Sequence, residues 1–380
     1  MKFLHASLAF VTAVSAVVMG CQQAPKEVKI AIVAPLSGGL SGWGDLLRNG
    51  VMLAVDEWNA RGGVLGKKIS IVSADSQGDP AVVVSAANTV IGAEKVHYMI
   101  GDVFSSLSIP LSEAANAAKT IVITPTSTNN AVTVDANGST KAYVFRACFS
   151  DQFQGRAGAS FAIRNLKARK ACVMFDPTDV YVHGLADAFA EAFTGLGGTV
   201  VGKESYSNTD ADFSKTLAAI KTAAPNVIYL PAASIPLVNL VTEKAKEAGI
   251  RAAFLGGDFW DSAELNLAAS EGSYFTNHYW PADQRPEVQA FEKAYDQRYS
   301  ASGAPDIVAG LSYDAANLLL QAIQTAGRDE VASVRAALEG MSFTGVSGRI
   351  TFDAQHNAVK SATIVHVTGG KTVLDSYVSP

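Results

Sequence analysis

Four glycines crowd one loop near the start of the folded chain, and their spacing decides which chemistry the loop can support. The loop 35–44 follows an apolar stretch and contains Gly38, Gly39, Gly42 and Gly44. This spacing fits neither G-x-G-x-x-G nor G-x-x-x-x-G-K-[ST], and no acidic residue stands at the distance that a ribose would require. The glycines are therefore better explained by the close approach of a ligand or of backbone than by a phosphate cradle.

Motifs for metal binding and catalysis are also missing from the sequence. The six histidines form no H-x-x-H or H-E-x-x-H pair and no cysteine cluster accompanies them, so we expect no metal site. No G-x-S-x-G elbow supports a hydrolase serine. We predict a protein that is not an enzyme and that carries no cofactor.

The elements that must position any site alternate between strands and helices. Apolar strand patterns occur at 28–34, 67–75, 96–102 and 120–126, and a second series occurs at 171–176, 199–206, 226–231 and 252–258. Helical patterns of 10–15 residues separate them, which predicts an α/β fold with two doubly wound parallel-sheet lobes. Ligands bind at the carboxyl ends of such strands. The loops at those ends are 35–44, 75–79, 102–106, 124–130, 176–181, 231–236 and 256–261.

The C-terminal third departs from this alternation. A strand is predicted at 272–280, helices at 286–300, 307–326 and 329–340, and antiparallel strands in GRITFD, TIVHVTGG and KTVLDSYV, with a hairpin turn at Gly369-Gly370. Because these helices must pack on the first lobe, we expect three crossovers between the lobes. The predicted division is 27–145 and 279–349 for lobe 1, and 146–278 and 350–380 for lobe 2.

The N-terminus predicts export. Lys2 precedes the apolar stretch Leu8–Val18, and Cys21 follows Gly20, which is the layout of a signal peptide over residues 1–20. The apolar stretch is far shorter than the roughly 20 residues that span a bilayer. Cys21 at the cleavage point resembles a bacterial lipobox, which implies lipidation of Cys21 and a tether over 21–26. The alternative is an ordinary secreted protein with a cysteine at that place.

Composition excludes some partners and bounds the domain count. The 380 residues are 48% hydrophobic and 17% charged, which suits two domains with real cores. The net charge of −5 and the absence of a basic stripe argue against nucleic acid. Cys148 and Cys172 lie in apolar strand-like stretches, so we expect buried free thiols, with a disulfide as the alternative.

Several motifs in order resemble one known family. The residues that carry the likeness are PLSGGLSGWGD, DSQGDPAVVVSAANTVI, MIGDVFSSLS, TIVITPTSTNN, FRACFSDQFQGRAGA, MFDPTDVYVHGLADAF, DFSKTLAAIK and FLGGD. Together they resemble type I periplasmic solute-binding proteins of the leucine/isoleucine/valine class. The likeness covers nearly all of residues 27–380.

The resemblance implies a set of ligand contacts for a free amino acid held between the lobes. Ser105 corresponds to the hydroxyl and N–H that receive the ligand carboxylate, and Thr126 and Thr128 to contacts shared by carboxylate and ammonium. Asp258 corresponds to the acid that faces the ammonium. Trp43 and Tyr181 correspond to aromatic walls.

The chemistry of these residues agrees, but each has a structural alternative. A carboxylate needs N–H and O–H donors at a helix start, and a desolvated ammonium needs a full negative charge. Ser105 and Thr126 would alternatively cap helices, and Asp258 would cap a helix starting near Ser262 or be a surface acid. The aromatic residues would alternatively belong to the core or the rim.

Three departures from the family pattern bear on the ligand. Asp258 replaces the more usual glutamate, and Ala232-Ala233-Ser234 replaces a common aromatic residue. That replacement either enlarges the site or leaves space that Phe259 and Trp260 fill. Paired cysteines of some relatives are replaced by Gly78 and Phe104.

The resemblance implies a binding protein that captures an aliphatic amino acid for an ABC importer. Its expected partners are the permease and ATPase subunits, and its expected location is the periplasm or cell surface, as a monomer anchored through Cys21. The alternatives are a receptor for another small carboxylate, amide or aromatic acid, and a sensory module that signals to a partner protein.

Overall fold

The structure is a computed structural model that describes residues 27–380. The predicted signal peptide, the predicted lipidation site Cys21 and the predicted tether lie outside the described residues. Within that range the predicted strands and helices are present, with ends shifted by a few residues. The short strands Val144–Arg146, Ser342–Gly345 and Ala358–Val359 were not predicted.

The first sheet contains five parallel strands. In chain order they are β1 (Val28–Ala34), β2 (Ile69–Asp75), β3 (Tyr98–Gly101), β4 (Ile121–Thr124) and β5 (Val144–Arg146). The spatial order is β2-β1-β3-β4-β5. Strands β3 and β4 are buried throughout, as expected for parallel strands covered on both faces.

The second sheet contains seven strands. They are β6 (Lys170–Phe175), β7 (Thr199–Ser205), β8 (Val227–Leu230), β9 (Ala253–Gly256), β10 (Tyr274–Asn277), β14 (Ala362–Thr368) and β15 (Lys371–Val378). The order is β15-β14-β10-β9-β8-β6-β7, and β14 and β15 are antiparallel to their neighbours. A third, antiparallel sheet joins β11 (Ser342–Gly345), β12 (Gly348–Phe352) and β13 (Ala358–Val359).

Ten α-helices cover these sheets in the described part of the chain. They are α1 (Ser41–Ala60), α2 (Pro80–Gly92), α3 (Ser105–Ala117), α4 (Asp151–Arg164), α5 (Val180–Gly195), α6 (Ser214–Ala223), α7 (Ile235–Glu247), α8 (Pro286–Tyr299), α9 (Ile307–Ala326) and α10 (Val331–Glu339). Side-chain caps fix several starts. For example, Oδ1 of Asp79 accepts the N–H of Ala81 at 2.7 Å, and Pro80 takes the first helical position.

Helix α9 packs on the first sheet, as the helical C-terminal third predicts. Leu319 and Ile323 of α9 share one core with Ile30 and Ile32 of β1. Helices α1 and α9 approach closely at Gly50, where an added Cβ would lie 2.2 Å from the carbonyl oxygen of Ala309. The glycine is therefore needed for the contact between these helices.

At the last crossover, the structure supports a later boundary between the lobes than the one predicted from the sequence. The chain passes between the two larger sheets three times, after β5, after β10 and before β14. The predicted boundary at 349/350 would divide β12, and Ile350 and Ala358 pack in the core of the first sheet. We therefore propose that lobe 1 comprises about residues 27–147 and 279–360, and lobe 2 the remaining described residues.

Candidate ligand-binding site

A cavity lies between the carboxyl ends of the strands of both larger sheets. The space not filled by protein atoms is about 630 Å³, including the opening to solvent. Its lining comes from the loops after β1, β3, β4, β6, β8 and β9 and from the start of α9. The lining residues are Trp43, Val103, Phe104, Ser105, Ser106, Thr126, Asp179, Tyr181, Ala233, Asp258, Phe259, Asp261, Ile307 and Val308.

The strand orders explain why these loops meet. In the order β2-β1-β3, helices lie on opposite faces after β1 and β3, so the chain diverges there and leaves a crevice. Trp43 lies in the first turn of α1, which follows β1, and Ser105 is the first residue of α3, which follows β3. The second sheet has the same arrangement around β6 and β8, where Tyr181 and Ala233 follow.

Ser105 places an anion-binding helix start in the cavity. It is the first residue of α3, and no side chain caps this helix. The first N–H groups of an α-helix have no carbonyl partners within the helix, so they bind anions well. The Ser105 hydroxyl accepts the N–H of Asn129 at 3.3 Å, which leaves its own hydrogen free to donate.

Thr126 and Thr128 occupy different places. The hydroxyl of Thr126 lines the cavity and donates to the carbonyl oxygen of Val103 at 2.6 Å, so toward a ligand it is an acceptor. The side chain of Thr128 is fully buried and is not part of the cavity lining. Arg146 holds this loop, since its guanidinium donates to the carbonyl oxygens of Ser127 and Asn129, each at 2.8 Å.

Asp258 presents a buried carboxylate on the opposite side of the cavity. Its Oδ1 accepts from the Tyr181 hydroxyl at 2.8 Å and from Nε2 of Gln154 at 3.0 Å. Its Oδ2 lies 3.0 Å from Nε2 of His278. The backbone at Gly257 permits the approach of Tyr181, because an added Cβ would lie 2.4 Å from the tyrosine hydroxyl.

The surroundings of the Asp258 carboxylate favour its ionised form. Burial acts to raise its pKa, but the hydrogen bond and the Coulombic influence of His278, together with the hydrogen bonds from Gln154 and Tyr181, hold the pKa below its ordinary value. Burial also lowers the pKa of His278 to about 4, so the imidazole is neutral at pH 7 and donates through Nε2. The site therefore holds a negative charge ready for a cationic group.

Aromatic side chains close the cavity between the lobes. The ring centroids of Trp43 and Phe259 are 5.1 Å apart, and those of Trp43 and Phe104 are 6.0 Å apart. Trp260 is buried, and its Nε1 donates to the carbonyl oxygen of Leu230 at 3.0 Å. Of the two aromatic residues considered for the space beside Ala233, Phe259 therefore lines the cavity, and Trp260 belongs to the core beneath it.

The structure brings together five of the six residues predicted to bind ligand. Trp43, Ser105, Thr126, Tyr181 and Asp258 line one cavity, whereas Thr128 does not. Asp258 caps no α-helix, because a short 3₁₀ turn over Asp258–Trp260 follows β9 and no α-helix begins near residue 262. The sequence did not single out the lining residues Asp179, Asp261, Ile307 and Val308, nor the partners Gln154 and His278.

Other candidate sites are limited within residues 27–380. No three His, Cys, Asp or Glu side chains in this range are arranged to hold a metal ion. None of the described helices is both long enough and apolar enough to cross a membrane. Cys148 and Cys172 are buried free thiols, as predicted.

Comparison with known proteins places the chain in a family. Residues 27–371 match the family described as periplasmic binding protein. The Leu/Ile/Val-binding protein BraC3 of Rhizobium johnstonii is 30% identical over 331 residues, which are 86% of this chain and 87% of that protein. The chain therefore belongs to the periplasmic binding protein family.

Solved structures agree in fold over almost the whole chain. The leucine-binding protein LivK of Thermotoga maritima is 32% identical with a TM-score of 0.82, covering 93% of this chain and 99% of that one. The branched-chain amino acid transporter substrate-binding protein LivJ of Streptococcus pneumoniae, in complex with isoleucine, is 27% identical with a TM-score of 0.82. The alignment with LivJ covers 93% of this chain and 100% of the LivJ chain. The fold is thus that of type I periplasmic binding proteins, and the chain is a solute-binding protein of the ABC transporter type rather than an enzyme.

Proposed function

We propose that this protein captures a free amino acid in the cleft between its lobes and delivers it to an ABC permease. The observation that carries the proposal is the opposition of two complementary groups across one cavity. The uncapped start of α3 at Ser105 offers donors for a carboxylate, and the ionised Asp258 offers acceptors for an ammonium. A zwitterion satisfies both only when the lobes enclose it, so ligand favours the closed form.

The names of three relatives support an amino acid as the ligand. BraC3, LivK and LivJ are named for leucine, isoleucine and valine, or for branched-chain amino acids. A receptor for a carboxylate without an amine would leave Asp258 buried and without a cation, which is unfavourable. A sensory module would bind the same ligand in the same way. Its closed form would contact a signalling protein instead of a permease.

We also propose that the protein acts outside the cytoplasm, tethered to a membrane by lipid on Cys21. The sequence pattern before Cys21 supports this anchor. Delivery from such a tether requires only that the closed lobes reach the permease.

Calorimetric titration of residues 27–380 with the common L-amino acids tests the binding step. Asp258→Asn keeps the size of the side chain and removes its charge. A hydrogen bond to a charged group contributes about 1.5–3 kcal/mol, so affinity should fall at least about tenfold. Asp212→Asn, the same change at an exposed aspartate, is the matched control and should bind as the wild type does.

The outcomes separate the alternatives. Unchanged affinity in Asp258→Asn would mean that no ammonium contacts Asp258. Binding of acids without an amine, and of no amino acid, would favour the carboxylate receptor. If amino acids bind but deletion of the gene leaves their uptake unchanged, the sensory function would replace import.

A further inference from the structure

One side chain beside the cavity forms a hydrogen bond from one lobe to the other. Nδ2 of Asn129 donates to the carbonyl oxygen of Val180 at 2.7 Å. Asn129 lies in the loop that follows β4 in lobe 1, and Val180 is the first residue of α5 in lobe 2. Because the donor and the acceptor belong to different lobes, a rotation of the lobes that opens the cleft breaks this bond.

The bond connects two walls of the cavity without belonging to either. Thr126, three residues before Asn129, and Tyr181, directly after Val180, both line the cavity, whereas Asn129 and Val180 do not. The backbone N–H of Asn129 donates to the hydroxyl of Ser105 at 3.3 Å, and helix α3, which begins there, contacts α5. A change at Asn129 can therefore act on the cleft without removing a contact to the ligand.

Asn129 is positioned for this bond by contacts within its own lobe. Its Oδ1 accepts the N–H of Ala131 at 2.9 Å and caps the 3₁₀ turn Asn130–Val132. Its carbonyl oxygen accepts from the guanidinium of Arg146 at 2.8 Å. Since Oδ1 is engaged within lobe 1, Nδ2 is left to donate across the cleft. A side chain that is already fixed loses little conformational entropy when the lobes close.

Helix α5 leaves room for the Asn129 amide at Gly184. A Cβ added to Gly184 would lie 2.8 Å from Nδ2 of Asn129 and 2.7 Å from Oδ2 of Asp151. Glycine inside a helix is less favourable than alanine. The close approach of these two side chains accounts for the glycine, and any larger residue would displace the amide from its place beside Val180.

We propose that Asn129 is a latch residue, whose hydrogen bond to Val180 stabilises the closed form and prolongs the retention of a captured ligand. This inference rests on the proposed function, because it takes ligand binding to be coupled to closing of the lobes. The ligand enters the open form before the bond is made and leaves after the bond is broken. Loss of the bond therefore raises the dissociation rate and leaves the association rate unchanged.

Asn129→Ser tests the latch, because serine lacks the amide donor but can still accept the N–H of Ala131. The dissociation rate and the dissociation constant should both rise about three- to tenfold, as expected for one neutral hydrogen bond. Stopped-flow fluorescence and calorimetry measure them, with the common L-amino acids and benzoate, an acid without an amine, as probes. Since Asn129 does not line the cavity, the factor should be the same for every probe that binds.

Two further variants and one stability measurement complete the design. Gly184→Ala keeps every hydrogen-bonding group and should also raise the dissociation rate, because its Cβ displaces the Asn129 amide. Asn137→Ser, the same change at an exposed asparagine of lobe 1, is the matched control and should behave as the wild type does. The open, ligand-free form lacks the bond, so Asn129→Ser without ligand should unfold in urea as the wild type does.

An unchanged dissociation rate in Asn129→Ser would overturn the inference and leave the amino-acid receptor intact. A factor that varies from probe to probe would also overturn it, since Asn129 would then act on the ligand itself. Binding of benzoate and of no amino acid would overturn the proposed function alone, and the rates with benzoate would decide the latch. Binding of no probe by the wild type would overturn both proposals.

Discussion

Nε2 of His278 lies 3.0 Å from Oδ2 of Asp258, and this contact joins the binding site to the connection between the lobes. His278 follows β10 directly, where the chain leaves the second sheet. Its ring stacks on Phe149, with centroids 3.8 Å apart, and Phe149 lies just after the first crossover. His278, a residue at the connection between the lobes, thus orients the Asp258 carboxylate, which we propose binds the ligand ammonium.

His278→Gln should weaken ligand binding although residue 278 does not line the cavity. Asp258 would lose one of three donors or hold it in a poorer geometry, and a charged hydrogen bond contributes about 1.5–3 kcal/mol. We expect a loss of about tenfold in affinity by calorimetry. His366→Gln, on β14 opposite Tyr274, is the matched control and should bind normally. Equal affinities in both variants would show that Asp258 does not depend on His278.

The same histidine should make folding stability sensitive to acid. Burial lowers the pKa of His278 from 6.5 to about 4, with Asp258 and Lys360 as the charged groups that act on it. Between these values the unfolded chain binds a proton that the folded chain does not, so the free energy of unfolding falls as pH falls. The full effect is up to about 3 kcal/mol.

Urea unfolding at several pH values checks this prediction. The window lies above the range in which Asp258 titrates, because the pKa of that carboxyl is held below 3.8. Between pH 6.5 and about 4 the stability of His278→Gln should fall less steeply than that of the wild type. Parallel stability curves for the two proteins would contradict the prediction.

Ser105→Ala should reduce affinity less than Asp258→Asn does. The substitution removes the hydroxyl donor but leaves the N–H groups at the start of α3, which provide most of the anion site. A loss of about 1 kcal/mol is expected, or a few-fold in affinity. A larger loss than that of Asp258→Asn in the same titration would show that the hydroxyl, and not the helix start, holds the carboxylate.

Trp43 should report ligand binding by its fluorescence. It is a partly buried tryptophan that lines the cavity and packs against Phe259 from the other lobe, with the two rings tilted. Ligand should change the emission of the wild type and change that of Trp43→Phe much less. Trp58→Phe is the control, because Trp58 hydrogen-bonds Asn317 at 2.9 Å and is not part of the lining. A ligand-induced change that survives in Trp43→Phe would place the signal elsewhere.

Cys21→Ser should prevent lipid anchoring. If Cys21 is lipidated, the wild type should partition with membranes, and the variant should remain unprocessed or be released by another cut. Fractionation and mass measurement of the processed N-terminus distinguish these states. Processing of both proteins with equal solubility in the absence of detergent would exclude the lipid anchor.

The sequence predicts the loops that surround the site better than the contacts among the side chains within it. Alternating patterns locate the loops that carry Ser105, Tyr181 and Asp258, because parallel strands bring their carboxyl ends together. Periodicity does not show which buried polar side chains meet. Gln154 lies on a helix, yet it reaches an aspartate 104 residues away through tertiary packing alone.

Thr128 was predicted to bind ligand but does not line the cavity, whereas Asp261 lines the cavity but was not predicted. A family motif suggests Thr128, but the loop held by Arg146 turns that side chain inward. No motif marks Asp261, since its place depends on how the short turn after β9 faces the start of α9. From sequence alone, a single acidic residue in a loop is usually interpreted as a surface charge.

The two buried thiols make this molecule suited to site-specific labelling. Burial raises the pKa of Cys148 and of Cys172 to about 12, so neither thiol forms the reactive thiolate at neutral pH. Two cysteines introduced on the surface, one in each lobe, would then be the only reactive thiols within residues 27–380. A pair of fluorophores attached there would measure the opening and closing of the cleft directly, one molecule at a time.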